Sequence, residues 1–362
     1  MSNDRETLDR PRRGIRRVLT AVAALAVGAT ALTACGTSGS GSSEPTVRLG
    51  YFANLTHALP VLGVSNGQLQ QALGSTKLET QTFNAGPAAI EAVNSGAIDA
   101  TFIGPNPAIS AWTQSAGSAI KIVAGATSGG AEFVVKPDIT DSPDSLRGKT
   151  FATPQLGNTQ DVALRYWLKQ KGLSAPKEGG GDVYVAPQDN AQTLDLFKQG
   201  KVDGGWLPEP WASRLVQEGG GKVLVNEKDL WPKGQFVTTH LIVSQKFLES
   251  SPDKVKALLQ GVVNTLNTVQ ANPIKAKADV NAALKTLTGK ALDETVLARS
   301  WDNLTITVDP IASSLQTDLD HAVDVGISKP ADLNGIYDLT ILNSILTAAG
   351  KAPVSAQGLG KQ

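Results

Sequence analysis

The sequence predicts an α/β protein of two lobes, each a mainly parallel sheet flanked by helices, with further helices at the C-terminal end. Three observations carry this. Strand-like and helix-like segments alternate along most of the chain, the grammar of parallel sheets joined by right-handed crossovers. One segment of the first half, IEAVNSGAIDATFI (Ile90–Ile103), echoes LDLFKQGKVDGGWL (Leu194–Leu207) in the second without a gap. The 362 residues are enough for about two domains of roughly 150 residues each.

The chain opens with RPRRGIRR (Arg10–Arg17), then the apolar run Val18–Leu32, then Leu32-Thr33-Ala34-Cys35. A basic stretch, a short apolar stretch and small residues are an export signal. The run is too short and Ala-rich to serve as a membrane span. The pattern resembles a bacterial lipobox, so residues 1–34 are expected to be removed and Cys35 lipidated. Cys35 is the only cysteine, and acylation accounts for a lone thiol in an exported chain. Disulfides, CxxC redox pairs and thiolate metal clusters are excluded. The paired arginines permit twin-arginine export without requiring it. Residues 36–45 read as a flexible Gly/Ser linker.

Order begins at VRLGYF (Val47–Phe52). Each half then reads strand–helix–strand–helix–strand: VRLGYF, LETQTF (Leu78–Phe83) and the end of the first echo; KTFAT, DVYVAP (Asp182–Pro187) and the end of the second. Within the echo, Gly96 and Gly200 stop a helix, and Asp99 and Asp203 precede a buried strand. From Ser251 the pattern is mostly helical, with helices expected around Lys275–Leu287, Asp293–Asn303, Ile311–Val325 and Tyr337–Ala349. The first lobe is expected to take Thr46–Ala131 and His240–Gln362, and the second Glu132–Thr239.

Two α/β lobes in one exported chain place a cleft between them, and in open α/β sheets ligands sit beyond the carboxyl ends of strands. The loops there are Ala53–Pro60, Asn84–Pro87, Gly104–Pro107, Ala126–Ala131, Pro154–Gln160 and Leu207–Trp211. They are rich in Gly, Asn, Thr, Ser and Pro and poor in Lys and Arg. A helix start offers unpaired N–H groups and a positive dipole end, which suits an anion. The turn Gly157–Gln160 is such a start, although Asn and Thr are also ordinary caps.

Charge points the same way. The chain carries 33 basic and 33 acidic residues. The first 34 residues hold six Arg and three acids, leaving the body weakly acidic, with no electrostatic footprint for nucleic acid. The three histidines fit no local zinc spacing. No nucleophile elbow, H-E-x-x-H or dinucleotide loop is present. No enzyme activity, metal or cofactor is expected.

Several motifs together resemble the substrate-binding lipoproteins of ABC importers in the sulfonate, taurine and nitrate class: NLTHA (Asn54–Ala58), FNAGPAAIEAVNSGAIDATFIGPNPA (Phe83–Ala108), AGATSGGA (Ala124–Ala131), PQLGNTQDVALR (Pro154–Arg165) and PEPWASRL (Pro208–Leu215). The resemblance implies the type II periplasmic-binding-protein-like fold. It implies a receptor, expected to be monomeric, that holds a small organic or inorganic anion and passes it to permease and ATPase subunits while tethered through Cys35 to the extracytoplasmic face of the cell membrane. It also implies that Asn54, Thr56, His57, Gly104, Pro105 and Asn106 face the ligand from one lobe and Gly157, Asn158, Thr159 and Gln160 from the other, with Ser128 and Gly129 near the first crossover and Thr238–His240 near the second. Asn158-Thr159-Gln160 replaces a shorter run of small hydroxyl residues, which leaves ligand identity open.

Asn84 follows a strand and joins the candidate set. Trp206 and Trp211 flank Pro208-Glu209-Pro210 and are expected to wall the pocket, with Glu209 orienting a polar group. His57 is read as a ligand donor titrating near its ordinary value of about 6.5. His240 reads as structural and His321 as surface. The alternatives are a receptor for a heterocycle, such as a thiamine-precursor pyrimidine or riboflavin, and a pyrimidine-synthesis enzyme of the same fold. That enzyme uses a cysteine-rich motif, absent here.

Overall fold

A computed structural model describes residues 45–362, so the expected signal, Cys35 and most of the linker lie outside the described residues. The chain enters through β1 (Thr46–Phe52), β2 (Lys77–Phe83), β3 (Ala100–Ile103) and β4 (Ile120–Gly129). It crosses to β5 (Ala131–Val135), β6 (Thr150–Thr153), β7 (Tyr184–Pro187), β8 (Gly204–Pro208) and β9 (Lys222–Asn226). It returns with β10 (Val237–Ser244) and adds the short strands β11 (Leu304–Ile306), β12 (Tyr337–Asp338) and β13 (Gly360–Lys361).

These strands make two sheets. The first runs β13-β12-β4-β10-β3-β1-β2, with β11 on β4, and the second runs β7-β6-β8-β5-β9. The echo has a physical meaning. In each sheet the three strands read from the repeated pattern form one parallel triplet, β2-β1-β3 and β7-β6-β8. Gly96 and Gly200 both adopt positive φ, 71° and 73°, where a side chain would be strained. Asp99 and Asp203 then each accept a backbone N–H from near the start of the triplet's middle strand, Arg48 at 2.8 Å and Thr150 at 2.9 Å. Each aspartate therefore clamps a helix-to-strand turn onto the neighbouring strand.

The parallel triplets are joined by antiparallel strands, so each sheet is mixed. β5 runs antiparallel to β8 and β9, and β10 antiparallel to β3 and β4. The reason is the crossovers: a strand that leads directly from one sheet to the other must enter against the direction of the βαβ strands. The C-terminal stretch is helical over Pro252–Ala271, Pro273–Thr288, Glu294–Asp302, Leu315–Asp324 and Thr340–Ala348, but Tyr337–Asp338, read as helix, is the strand β12. The first sheet is covered on both faces by separate apolar clusters, one built largely by Pro252–Ala271 and Pro273–Thr288. The second is centred on Phe133, Phe151, Trp167 and Trp206. No described helix is long and apolar enough to cross a membrane.

Candidate functional site

Where the two triplets face each other, their C-terminal ends meet around one small cavity. The short 3-10 turn Leu55–His57 after β1 supplies Asn54, Thr56 and His57. Asn84 follows β2, Gly104 follows β3, and Asn158, Thr159 and Gln160 open the helix Thr159–Gln170 after β6. The cavity is about 20 Å³, room for roughly one water. Its lining contains no Lys, Arg, Asp or Glu.

Each donor is held in place. Thr56 O accepts from Thr127 Oγ1 at 2.7 Å and from Thr239 Oγ1 at 3.0 Å, which pins the 3-10 turn to the strands β4 and β10. His57 Nδ1 accepts the Phe52 N–H at 3.3 Å, and its ring stacks on Phe52 at 4.3 Å. With Nδ1 accepting, the ring proton resides on Nε2. Burial lowers the His57 pKa to about 3, so the ring is a neutral donor and does not titrate near 6.5 as the sequence suggested.

On the opposite side, Asp161 organises the turn. It accepts from Thr153 Oγ1 at 3.0 Å and Arg165 Nε at 3.1 Å, both buried, and from the half-buried Gly157 N–H at 3.0 Å. Gly157 is thereby removed from the set of free donors, a correction: its N–H is already bonded. Asn158 Nδ2 bonds Gln160 Oε1 at 2.8 Å, so neither amide caps the helix. Among the described residues, Thr159 Oγ1 is buried with no hydrogen-bond partner, and the N–H groups of Thr159 and Gln160 have none either. Thr159 Oγ1 also touches the other half of the molecule: a Cβ on Gly104 would lie 2.4 Å from it.

Other expected site residues lie elsewhere. Trp206 is fully buried in the second sheet's core, stacked on Phe133 and donating to Glu227 Oε2 at 2.7 Å. Glu209 is fully buried and takes no part in the cavity. Its carboxyl oxygens accept from Ser213 N–H and Oγ, Arg299 Nη1, Ser300 Oγ and Asn303 Nδ2, at 2.9–3.2 Å. Arg299 also donates to Glu132 Oε2 at 2.6 Å. Desolvation raises the Glu132 pKa, and the Glu209 charge adds to this, against the lowering effect of Arg299. The charge that a ligand was expected to meet is thus spent on tying the second sheet to the C-terminal helix Glu294–Asp302. Ser128 lines a separate cavity with Thr305 and Thr307, and Gly129 O accepts from Thr238 Oγ1. Pro105 and Asn106 begin a helix, and Asn106 Nδ2 donates to Asp318 O at 3.1 Å, turning it from the cleft. Trp211 is at the cleft's edge, its Nε1 donating to Asn54 Oδ1 at 2.9 Å. His321 is half-buried, not surface, stacked on Tyr166 at 3.6 Å.

Sequence reasoning missed Asn190 in the lining, whereas Pro154 and Pro208 lie in loops it had named. Asn190 had a signal in the echo: it opens the helix after β7 as Asn84 follows β2. Among the described residues no group of three or more His, Cys, Asp or Glu could hold a metal ion.

The family model described as NMT1-like matches residues 40–284. The chain belongs to the NMT1-like family. A Bacillus subtilis relative named for aliphatic sulfonates is 27% identical over 339 residues, covering 87% of this chain and 93% of that one. The fold is that of the periplasmic nitrate-binding protein of Synechocystis PCC 6803 (TM-score 0.71, 18% identity, 86% of this chain and 92% of that one). It is likewise that of the alkanesulfonate-binding protein of Xanthomonas axonopodis pv. citri bound to MOPS (TM-score 0.65, 22% identity, 79% and 95%). The NMT1-like chain is therefore a two-lobed periplasmic-binding-protein fold.

Proposed function

We propose that the protein is the extracytoplasmic receptor of an ABC importer, binding a small organic anion of the sulfonate or taurine type, or nitrate, and passing it unchanged to a permease. One observation carries this reading: a buried helix start with three unpartnered donors, in a cavity without a charged side chain. Neutral donors and a helix dipole favour an anion, and the absence of a carboxyl leaves nothing there to hold a cation. A net gain of roughly 1.5–3 kcal/mol for each bond to a charged group makes micromolar binding reachable with three or four of them after ordering costs. Relatives are named for the binding of aliphatic sulfonates and of taurine. The site residues are Asn54, Thr56, His57, Asn84, Asn158, Thr159 and Gln160, and the lobes divide near residues 131 and 240.

A flat heterocycle is less well served. Phe52 is already covered by His57, and Trp206 is in the core, so the cavity presents no open pair of rings. A thermal-shift panel on the protein decides: alkanesulfonates, taurine and nitrate are expected to raise the melting temperature. A shift with a pyrimidine or riboflavin and none with the anions overturns the reading, and recovery of a chemically altered ligand indicates an enzyme. Anchoring is tested separately. Cys35→Ser is expected to move the protein from the membrane fraction to the soluble fraction, and retention in the membrane contradicts lipidation.

A further inference from the structure

A second chamber, of about 690 Å³, shares no lining residue with the cavity at Thr159 and His57. Its volume is within the range of pockets that enclose organic ligands. Three elements wall it. The helix Thr159–Gln170 supplies Tyr166 and Trp167, the segment between β9 and β10 supplies Glu227 and Trp231, and the helix Leu315–Asp324 supplies His321.

The walls are rings held in place by other rings. Tyr166 stacks on His321 at 3.6 Å. Trp231 is half-buried, stacks on Phe236 at 5.4 Å and lies 5.8 Å from the His321 ring. Trp167 already takes the Lys171 ammonium at 5.1 Å, so Tyr166 and Trp231 are the rings left for a ligand. The floor is acidic. Glu227 is 2% exposed. Burial raises its pKa to about 7, and the groups that act against this are the ring N–H donors of Trp206 and Trp231, with no Lys or Arg among them. Trp231 and the carboxyl therefore stand side by side. Asp318, next to Thr317 of the lining, is buried too, and its Oδ2 has no partner among the described residues. Desolvation and then the Glu227 charge raise its pKa, again with no basic group opposing. The only Lys or Arg among the described lining residues is Lys233, which is exposed.

We propose that this chamber binds an organic cation, a quaternary or aromatic ammonium, with its charge against Trp231, Tyr166 and Glu227. Ring faces attract a cation, most strongly where water is excluded. A buried carboxyl without a basic partner is costly to ionise, and a bound cation supplies the missing charge. The proposal does not depend on what the cleft binds.

The test is calorimetric titration of the protein at pH 8 with benzyltrimethylammonium, choline and 3,3-dimethylbutanol, the uncharged isostere of choline. Both cations are expected to bind, and choline about tenfold or more tighter than the alcohol. Trp231→Leu is expected to weaken benzyltrimethylammonium by about tenfold, and Trp231→Phe, which restores a ring, to recover most of the loss. Glu227→Gln keeps an acceptor for Trp206 and removes the charge, and is expected to weaken the cations by about tenfold while leaving the alcohol unchanged. Equal affinity for choline and the alcohol overturns the inference, because the chamber would then select shape and not charge. Native affinity for benzyltrimethylammonium in either Trp231→Leu or Glu227→Gln also overturns it, because the cation would lie elsewhere. Failure of both cations to bind at about 10 mM overturns it outright.

Discussion

Thr159→Val separates a ligand-binding helix start from a plain cap, because the two roles give opposite signs. The substitution keeps the shape and removes one hydroxyl. That hydroxyl is buried, 3% exposed at the residue level, and makes no hydrogen bond to a described residue. In the free protein it therefore contributes a desolvation cost without a bond in return, on the order of 1 kcal/mol. Valine is expected to raise the free energy of unfolding by about that amount. With ligand bound, the same hydroxyl donates to an oxyanion, and losing a bond to a charged group costs about 1.5–3 kcal/mol, or roughly tenfold to 150-fold in affinity. Urea unfolding of the free protein reads the first effect and calorimetric titration with an alkanesulfonate the second. A variant that is less stable when free and binds as tightly as the native protein would refute the reasoning, since the hydroxyl would then be doing structural work.

Three further substitutions probe the frame around the site. Gly104→Ala places a Cβ 2.4 Å from Thr159 Oγ1; it should keep the halves from meeting, weaken anion binding by about tenfold or more, and enlarge the radius of gyration by solution scattering, whereas native affinity would show that the contact is not needed. Arg299→Met strands the buried carboxyls of Glu132 and Glu209 and is expected to cost about 3 kcal/mol or more in urea unfolding, with Arg299→Lys a poor substitute because one ammonium cannot span both. A loss below 1 kcal/mol would show the pairing to be dispensable. For pH, Glu227 has its pKa raised by burial from 4.5 to about 7. The folded state therefore prefers the protonated acid, so stability is full below about pH 4.5 and falls by about 3 kcal/mol as pH rises through 7. Glu227→Gln keeps an acceptor for Trp206 and should remove that decline between pH 5 and 8. An identical decline in the variant would place its origin in another group.

The sequence carried the parallel triplets because their information is local. A strand, a glycine-stopped helix and a following aspartate recur in both halves, and the geometry gives Asp99 and Asp203 the same bond. The helix start at Thr159 was readable for the same reason. What escaped reading depends on partners far along the chain. Glu209 sits between two prolines in a loop that points toward the cleft by every local rule. It is claimed by Arg299, Ser300 and Asn303, some 90 residues later. Trp206 looked like a cleft wall by its place near a strand end, yet strand alternation turns it into the core against Phe133. Gly157 seemed a free donor until Asp161, one turn on, took its N–H. His57 was legible as a lining residue of the cavity, but its protonation was not, because full burial and not neighbouring charge sets it.

The most direct test of the account is calorimetric titration of the protein with butanesulfonate. The account predicts one site with micromolar affinity, released chemically unchanged and weakened at least tenfold by Thr159→Val. No binding of butanesulfonate, taurine or nitrate, or equal affinity in Thr159→Val, would contradict it.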